Sequence, residues 1–394
     1  MHGKKIVIIG GSIAGCASGI LLSRFGADVT ILERSSGCFG LGSGVMLPKK
    51  TVDRCIENDL FDSNIGRSHV SNRYFYRKNE QNQEHFWTQP IRAIAFNWAE
   101  IYQNLRRRVA PAHYHTHAEV THLEKNEHGY RITTTNGKIY EADLVIAADG
   151  VDSIARANLL PEAQPEYTGY IAWRGVIENQ SGFEKDMSYY AFPNGHLLLY
   201  RIPASDYTHT KKTLLNWVMF ENHQELSLMD LLIDNQGKQH TRSLPAGYLT
   251  EQHIHYLHQL SQSLLPAPIL DVIVRTPQPF IQAIFDFQIP THLNEHVIFV
   301  GDAASTLRPH SGSGVSKAIG DGFQFSDCIK SDPKKKLTEI VTMWNTKQAL
   351  LLSEEVQKSK RLGKALVTHT PDWMQMNQDT MDQWWIEKTW YTTL

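Results

Sequence analysis

Residues 5–15 read KIVIIGGSIAG, a β-branched run followed directly by a glycine-rich turn. The run at 5–9 is typical of a short strand buried on both faces. Small and apolar residues then recur at helical spacing until Gly26, and a second predicted strand at 29–32 ends at Glu33. Because a pyrophosphate reaches the backbone N–H groups of a helix N-terminus only where no Cβ obstructs it, this order predicts a dinucleotide-binding strand–turn–helix unit.

Individual positions of this turn have separate tasks. Gly10 permits the turn, and Gly15 permits the helix to pack closely on the strand. Glu33 follows Gly15 by 18 residues. This is close to the ~20 residues that usually precede the acid that binds ribose hydroxyls. Ser12 stands where the usual pattern has its middle glycine, and its hydroxyl can donate to a phosphate oxygen. The glycines could instead mark an ordinary tight turn, an alternative that the strand–turn–helix–strand order disfavours.

The composition indicates a folded protein with two domains. The chain has 394 residues, which exceeds the usual size of a single hydrophobic core. With 41% apolar and 20% charged residues, it falls among globular rather than disordered sequences. A formal net charge of -2 excludes a general electrostatic attraction to nucleic acid or anionic membranes, so no nucleic-acid partner is expected.

The cysteine and histidine patterns argue against a metal site or a disulfide framework. The four cysteines are scattered without a Cys-x-x-Cys pair: Cys16, Cys38, Cys55 and Cys328. A reducing compartment therefore fits. The alternating His113, His115 and His117 are interpreted as surface residues on one face of a strand, since no thiolate or carboxylate partner is nearby. No metal ligand is assigned.

The N-terminus superficially resembles a signal peptide, because Lys4 and Lys5 precede an apolar run. Glycines interrupt that run from Gly10 onward, so strand, turn and helix is the better interpretation. No other stretch approaches the ~20 apolar residues that are required to cross a bilayer. We therefore expect a cytoplasmic protein without a membrane span.

Two later segments end predicted buried strands with polar residues. Residues 141–150 read EADLVIAADG and end at Asp149 and Gly150. Residues 296–304 read HVIFVGDAA, and the segment PHSGSG at 309–314 opens a helix of small residues. Strand ends of this kind gather at one edge of a parallel sheet, where ligands bind.

The last segment offers groups that suit a flavin. Asp302, at the carboxyl end of a strand, can bind a ribitol hydroxyl. Gly312 and Gly314 let the N–H groups of a helix N-terminus face an electron-rich ring edge, where the helix dipole stabilises the negative charge of a reduced flavin. Alternatively, Asp302 is an ordinary N-cap and the two glycines mark a flexible loop.

In this order, the three motifs resemble those of class A flavoprotein monooxygenases, the FAD-dependent aromatic hydroxylases. The resemblance extends over roughly residues 4–330. Within the family, the dihydroxypyridine hydroxylase and salicylate hydroxylase branches are the most similar. That similarity is carried by YTGYIAWRGV at 167–176, HLLLYRIP at 196–203 and RPH at 308–310.

The resemblance implies an oxidoreductase that binds FAD and consumes NADH or NADPH together with O2. A flavin C4a-hydroperoxide would hydroxylate an electron-rich aromatic or N-heteroaromatic small molecule. The residues then expected to bind FAD are Gly10, Gly11, Ser12, Ile13, Ala14, Gly15, Glu33, Arg34, Ser43, Gly44, Val45, Val120, Asp149, Gly150, Asp302, Ala303, Gly312, Ser313, Gly314 and Val315.

Candidate substrate contacts come from two places in the sequence. His310, beside the glycine loop, is the first candidate for a general base that deprotonates a ring hydroxyl, with a structural histidine as the alternative. Pro309 and the strand residues His196, Tyr200 and Arg201 are expected to line the substrate cavity, with packing or surface roles as alternatives.

The implied fold is α/β, with a Rossmann-like FAD-binding domain, an inserted mixed β-sheet substrate domain of the para-hydroxybenzoate hydroxylase type, and C-terminal helices. The expected FAD-binding domain comprises residues 1–72, 95–165 and 276–330, the substrate domain 73–94 and 166–275, and the C-terminal helical segment 331–394. Hydrophobic spacing predicts one long helix over 335–367. The tail beyond it carries Trp373, Trp384, Trp385 and Trp390, for which packing within the chain is favoured and a homodimer contact is the alternative.

The sequence is also compatible with other functions. They are a different FAD oxidoreductase, such as a drug-inactivating hydroxylase or a dehydrogenase, and a non-catalytic FAD-binding redox sensor. A halogenase is disfavoured because the sequence has no Trp-x-Trp-x-Ile-Pro segment. Three departures weaken the para-hydroxybenzoate branch: Trp98 replaces a common arginine, Ser305 a common histidine, and Asp286-Phe287 an Asp-Arg pair.

Overall fold

A computed structural model describes residues 1–37, 43–80, 82–179, 183, 186–223, 225–289 and 296–389. The strands are β1 (Lys5–Ile9), β2 (Asp28–Leu32), β3 (Gly44–Pro48), β4 (Ser68–Arg77), β5 (Glu84–Asn97), β6 (Tyr114–His115), β7 (Val120–Lys125), β8 (Tyr130–Thr134), β9 (Ile139–Ala142), β10 (Leu144–Ala147), β11 (Glu166–Glu178), β12 (Met187–Phe192), β13 (Gly195–Pro203), β14 (Thr213–Asn222), β15 (Ser243–Leu244), β16 (Phe280–Gln288), β17 (Val297–Phe299) and β18 (Ser305–Thr306). The helices are α1 (Ile13–Ser23), α2 (Lys49–Glu57), α3 (Trp98–Arg106), α4 (Ile154–Leu159), α5 (Tyr207–Thr210), α6 (Glu225–Leu231), α7 (Glu251–Leu264), α8 (Ala267–Val274), α9 (Gly314–Ser331), α10 (Leu337–Gly363) and α11 (Gln378–Thr389).

The first sheet is parallel and has the strand order β17-β10-β1-β2-β6. Alternate residues of β1 enter different cores, which is why all four residues after Lys5 are apolar. Ile6 and Ile8 pack with residues of α1 and α9, whereas Val7 and Ile9 pack with the small sheet β7-β8-β9 on the other side. Helices therefore cover one face of the parallel sheet and a second sheet covers the other.

The second sheet is larger and mixed, with ten strands in the order β15-β16-β11-β14-β13-β12-β4-β5-β3 and β18 paired to β16. Its β13 strand shows how the two faces divide. His196 and Tyr200 point to the same face because strand side chains alternate, and Leu197 and Leu199 belong to a separate core on the opposite face. The parallel sheet, the mixed sheet and the C-terminal helices confirm the predicted α/β fold class. The predicted domain boundaries stay a prediction.

The C-terminal segment packs on the mixed sheet. The predicted long helix is confirmed as α10, and the segment Lys364–Thr368 continues it as a π-helical turn. Trp373 and Trp385 are buried, and each ring centroid lies 6.1 Å from that of Phe75 on β4. Packing of the tail within the chain is confirmed for these two residues, while Trp390 lies outside the described residues. The homodimer stays a prediction.

Two local predictions were wrong. His113, His115 and His117 do not share a strand face, because Pro111–His113 forms a 3-10 turn and His117 has a positive φ of 52° that ends the short β6. The sequence of 226–263 also predicts a mostly helical segment, broken by Gly237, Pro245 and Gly247. In the structure, this segment is helical only at its ends, in α6 and α7. Proline and glycine between those helices make turns instead.

The last general features of the described residues concern membrane-spanning helices and cysteines. There, no helix has the length and apolar character needed to cross a bilayer. Cys16, Cys55 and Cys328 are buried free thiols, and Cys38 lies outside the described residues.

Candidate active site

The first turn needs its glycines for steric reasons. Gly10 has a φ of 96°, in the region that side chains rarely adopt. A Cβ on Gly15 would lie 1.9 Å from the carbonyl oxygen of Gly10, so the helix can approach the strand only without it. Ser12 precedes α1 and its side chain does not cap the helix, which leaves the first N–H groups of α1 for another acceptor.

Glu33 joins the end of β2 to this turn. Its Oε2 accepts from the Gly11 N–H at 2.8 Å, and its Oε1 accepts from the Ser35 N–H at 2.8 Å. The residue is 6% exposed. A carboxylate has about four lone-pair sites, so two remain after these bonds. Glu33 therefore orders the turn and keeps acceptor capacity for a ligand hydroxyl.

The three motifs meet at one edge of the parallel sheet. In the aligned strands β1, β10 and β17, Ile9 lies beside Ala147, and Ala147 lies beside Phe299. A Cβ on Gly10 would lie 2.5 Å from the carbonyl oxygen of Ala148, and a Cβ on Gly301 would lie 3.0 Å from Cβ of Ala14. Segments that are far apart in the chain thus form one crevice at the carboxyl ends of the strands, the usual ligand site of such sheets.

Asp149 carries an unsatisfied oxygen at this edge. Its Oδ2 accepts from the Ala155 N–H at 3.2 Å, but its buried Oδ1 has no hydrogen-bond partner among the described residues. Burial raises the pKa of this carboxyl group. Such a buried acceptor costs free energy until a donor reaches it. Gly150, the next residue, is half-buried and a Cβ there would meet nothing within 4 Å.

A buried polar network holds the Gly301–Asp302 turn. Asp321 Oδ2 accepts from the Gly301 N–H at 2.8 Å, and the Lys317 ammonium donates to the Gly301 carbonyl at 2.8 Å. Gln348 Nε2 donates to Asp321 Oδ1 at 2.7 Å. The network leaves the Asp302 side chain exposed in the crevice. The sequence argument missed it, although the i,i+4 spacing of Lys317 and Asp321 was a usable signal.

The helix that follows the third motif begins in open space. Gly312 has a φ of 64°, which turns the chain into α9. A Cβ on Gly314, the first residue of α9, would meet nothing within 4 Å. The nearest atom to a Cβ on Gly312 would be Cβ of Met46 at 3.9 Å, so this turn faces β3. The first backbone N–H groups of α9 have no partner within the helix, and the open space at Gly314 leaves room for a ligand at this helix end.

The remaining residues predicted to bind FAD lie in different surroundings, and their contact with FAD stays a prediction. Gly44 donates its N–H to Asn216 Oδ1 at 2.7 Å, and the Ser43 carbonyl accepts from the Trp98 N–H at 2.9 Å. Arg34 is exposed, and Val120 is buried between the parallel sheet and the small sheet. The others lie in the first turns of α1 and α9, in β3 or in the turn after β17: Ile13, Ala14, Val45, Ala303, Ser313 and Val315.

The predicted substrate contacts only partly come together. His196 and His310 have ring centroids 5.3 Å apart, although they come from β13 and from the turn before α9. Tyr200 shares the face of His196, and a Cβ on Gly44 would lie 2.6 Å from its hydroxyl. Arg201 points to the opposite face because strand side chains alternate. Pro309 is exposed beside His310.

Both histidines are buried and neutral. Burial lowers the pKa of His196 to about 4 and holds the pKa of His310 well below its usual value. His196 Nδ1 contacts the Leu366 carbonyl at 3.1 Å, and His310 Nε2 contacts the Tyr170 hydroxyl at 3.0 Å. Their other ring nitrogens, Nε2 of His196 and Nδ1 of His310, have no hydrogen-bond partner within the described ranges.

An ion pair that the sequence argument missed supports this cluster. Arg308 Nε and Nη2 donate to the two carboxylate oxygens of Asp286 at 2.9 and 2.7 Å, and Arg308 is 5% exposed. Its guanidinium lies 5.6 Å from the Tyr170 ring centroid. The sequence showed Asp286 without its expected neighbouring arginine, and the structure shows that Arg308 pairs with it from another segment.

In this chain, three motifs form one crevice at the edge of a parallel sheet that lies beside a mixed sheet. This arrangement is that of an FAD-dependent oxidoreductase. A family model described as "FAD binding domain" matches residues 4–224, and one described as "FAD binding domain-like" matches 167–286. The chain belongs to this FAD-binding family and is an FAD-dependent monooxygenase of the class A flavoprotein hydroxylases.

Relatives match the chain along nearly its whole length. The 2,6-dihydroxypyridine 3-monooxygenase of Paenarthrobacter nicotinovorans is 26% identical over 92% of this chain and 91% of its own. The 6-hydroxynicotinate 3-monooxygenase of Bordetella bronchiseptica is 22% identical over 96% and 94%. The solved structure of 2,6-dihydroxypyridine-3-hydroxylase from Arthrobacter nicotinovorans covers 92% of this chain and 93% of its own, at 26% identity and a TM-score of 0.85.

Proposed function

We propose that this enzyme uses NADH or NADPH and O2 to hydroxylate an electron-rich aromatic or N-heteroaromatic small molecule. The observation that carries the proposal is the buried pair of neutral histidines next to the glycine turn that opens α9. Two relatives named for hydroxypyridine-type substrates support an N-heteroaromatic ring. A small apolar cavity with a few polar groups is the usual form of a site for such molecules.

The residues of the crevice fit FAD. The N–H groups in the first turn of α1, with Ser12 before them, would hold the pyrophosphate, because a helix N-terminus attracts anions, while Gly11 lets the turn approach it without a Cβ. Glu33 would accept ribose hydroxyls, and the exposed Asp302 would accept from the ribitol chain. The open Gly314 position and the unsatisfied Asp149 Oδ1 are the structural observations that support this fit.

When bound, FAD would supply the redox chemistry, with the nicotinamide as the source of two electrons and O2 as the source of one oxygen atom for the product and one for water. The chain's own contribution begins at α9. Its N-terminus, at Ser313 and Gly314, places a partial positive charge at the crevice, which would stabilise negative charge on a reduced ring. The sheet face with His196 and Tyr200 would exclude water from the ring that reacts.

His196, Tyr200, Pro309 and His310 are the proposed substrate contacts. Arg201 is left out because its side chain lies on the other face of β13. His310 can offer only Nδ1 to a substrate, since its Nε2 is engaged by the Tyr170 hydroxyl. This limits the general-base role predicted for His310 to a single atom.

Rapid-mixing kinetics of the FAD-loaded protein test the proposal. We expect NADH or NADPH to reduce the flavin faster in the presence of one member of a panel of hydroxylated pyridines and benzoates. Under 18O2, that compound should gain one labelled oxygen atom. FAD that neither nicotinamide reduces with any compound would favour the redox sensor. Reduction that proceeds without an oxygenated product would favour a dehydrogenase.

A further inference from the structure

The guanidinium of Arg174, on β11, has no acidic partner among the described residues. Its Nη1 donates to the neutral Gln282 Oε1 at 2.8 Å, and its buried Nε has no hydrogen-bond partner there. Tyr200 is the titratable group that acts on this guanidinium. An arginine stays charged at ordinary pH, and holding such a charge away from water without a counterion is unfavourable. The position is therefore suited to a bound anion.

The alternation of side chains along β11 places Arg174 on the face of the mixed sheet that carries the proposed substrate contacts of β13. Trp173 packs in the core on the opposite face. Ala172 and Val176, two positions before and after Arg174, pack with Tyr200 on the site face. The unpaired charge and the proposed substrate contacts thus lie on one surface.

A recess with an apolar floor lies beside Arg174 on this face. The strand register forms two neighbouring rows across β13, β14 and β11, which are Leu198–Val218–Arg174 and Tyr200–Asn216–Val176. Leu198 and Val176 belong to strands that are paired on both sides, yet both side chains keep part of their surface accessible. Because the neighbouring strands are in place, this accessible surface opens above the sheet, where a flat ring has room.

Asn216 brings a second donor to the recess. Its Oδ1 accepts from the Gly44 N–H at 2.7 Å, which fixes the orientation of the amide, and its buried Nδ2 has no hydrogen-bond partner in the described part of the chain. A Cβ on Gly44 would lie 2.6 Å both from Asn216 Cγ and from the Tyr200 hydroxyl. Burial raises the pKa of that hydroxyl far above its usual value, so it stays a neutral donor. Donors from three adjacent strands therefore border an apolar floor, as in sites for small polar rings.

We propose that Arg174, together with Asn216, binds the ionised hydroxyl oxygen of the substrate ring, so that the anion is the form that the enzyme holds. On binding, the O–H bond of the ring hydroxyl breaks, its electron pair stays on the oxygen, and the proton is released to the solvent. An ionised oxygen raises the electron density of the ring, which favours hydroxylation. This inference rests on the proposed function and adds a catalytic residue to it. It makes a general base at His310 unnecessary.

The ionisation of a bound phenol tests the proposal. The probe is 4-nitrophenol, whose anion is yellow, so difference spectra of the FAD-loaded protein report its charge. We expect the bound probe to ionise roughly one to three pH units below the free probe, the usual effect of a close opposite charge. The same ring without an ionisable hydroxyl, 4-nitroanisole, should bind roughly tenfold more weakly than the phenolate.

Substitutions of Arg174 separate anion binding from a packing role. Arg174→Gln should remove most of the difference between bound and free probe and weaken phenolate binding roughly tenfold, whereas Arg174→Lys keeps a charge and should retain part of both. Arg174→Gln should not lower the urea unfolding midpoint, because the charge has no carboxylate partner to lose. The control is Arg201→Gln, on the opposite face of β13, which should leave the ionisation of the probe unchanged.

A bound probe that ionises at the same pH as the free probe would overturn the anion site, and so would failure of the phenolate to bind. Equal ionisation in the parent and Arg174→Gln would do the same. If that variant instead lowers only the midpoint potential of FAD, the charge serves the cofactor and the proposal also fails. In these cases, hydroxylation of a ring compound at the expense of NADH or NADPH would leave the proposed function standing. Absence of hydroxylation for every ring compound tested, with the probe still ionised by Arg174, would end the proposed function alone.

Discussion

Lys317 and Asp321 form a buried ion pair one helical turn apart in α9, with Nζ and Oδ2 separated by 3.0 Å. Their side chains are 7% and 2% exposed, so the pair is almost fully removed from water. Both residues also bond the backbone of Gly301, which precedes Asp302 in the crevice. The pair therefore connects the position of the third motif to the packing of α9.

Lys317→Met should destabilise the protein by about 3 kcal/mol, because it leaves the Asp321 carboxylate buried without its counterion. Urea unfolding monitored by tryptophan fluorescence measures this. Lys49→Met is the matched control, since it removes an exposed i,i+4 pair with Asp53 and should cost less than about 0.5 kcal/mol. Equal unfolding midpoints for the two variants would contradict the structural role of Lys317.

Gly15→Ala should reduce FAD retention and destabilise the fold by about 1–3 kcal/mol, the usual cost of overpacking. The added methyl group would meet the Gly10 carbonyl oxygen at 1.9 Å and push α1 away from the turn. The ratio of flavin to protein absorbance after purification measures retention. Gly320→Ala, inside α9 with nothing within 4 Å of the new methyl group, should stabilise by about 0.5–1 kcal/mol. If both variants purify with the same flavin content, close packing at Gly15 is not needed for FAD binding.

Stability should decrease as the pH falls from about 6.5 to about 4, because burial lowers the pKa of His196 to about 4 from an ordinary value of 6.5. Between these pH values, His196 is protonated in the unfolded chain but stays neutral in the folded protein, so protonation favours unfolding. The contribution of neutral His196 to the free energy of unfolding is fully present above the pKa of the unfolded chain. It decreases by about 3 kcal/mol as the pH falls to the pKa of the folded protein.

The measurement is the pH dependence of the unfolding free energy, compared between the parent and His196→Gln. The variant should show a shallower decrease between these pH values. His209→Gln, which removes an exposed histidine, should leave the slope unchanged. A slope that is the same in all three proteins would show that position 196 does not titrate as its burial requires.

Asp286→Asn should destabilise by about 3 kcal/mol, because it leaves the buried Arg308 guanidinium without its carboxylate. It should also weaken substrate binding, since Arg308 faces Tyr170, the partner of His310. Thermal unfolding and the KM of the best ring substrate are the two readouts. Asp271→Asn breaks only an exposed i,i+4 pair with Arg275 and should change neither. If the variant loses stability but keeps its KM, Arg308 has a structural role and does not support substrate binding.

Much of the cofactor crevice could be predicted from the sequence because each motif acts through its own backbone. The turn at Gly10 and the start of α9 after Gly312 are local events, and their φ values of 96° and 64° lie in the left-handed region that favours glycine. The order of the motifs then placed them on strands of one parallel sheet. By contrast, Arg201 was grouped with Tyr200 although neighbours on a strand point to opposite faces. The sequence leaves open which face meets the site, and only the structure shows that the face of His196 and Tyr200 is the one beside His310.

The sequence by itself determined the strand–turn–helix units, the long C-terminal helix and the family to which the chain belongs, since these depend on residues within a few positions of one another. Only the tertiary structure decided that Asp286 pairs with Arg308, that Tyr170 bonds His310 across 140 positions and that His196 bonds the Leu366 carbonyl. Those contacts arise where the C-terminal segment and the turn before α9 close on the mixed sheet. Burial there removes water as the competing partner, so packing and not local sequence selects which polar groups meet.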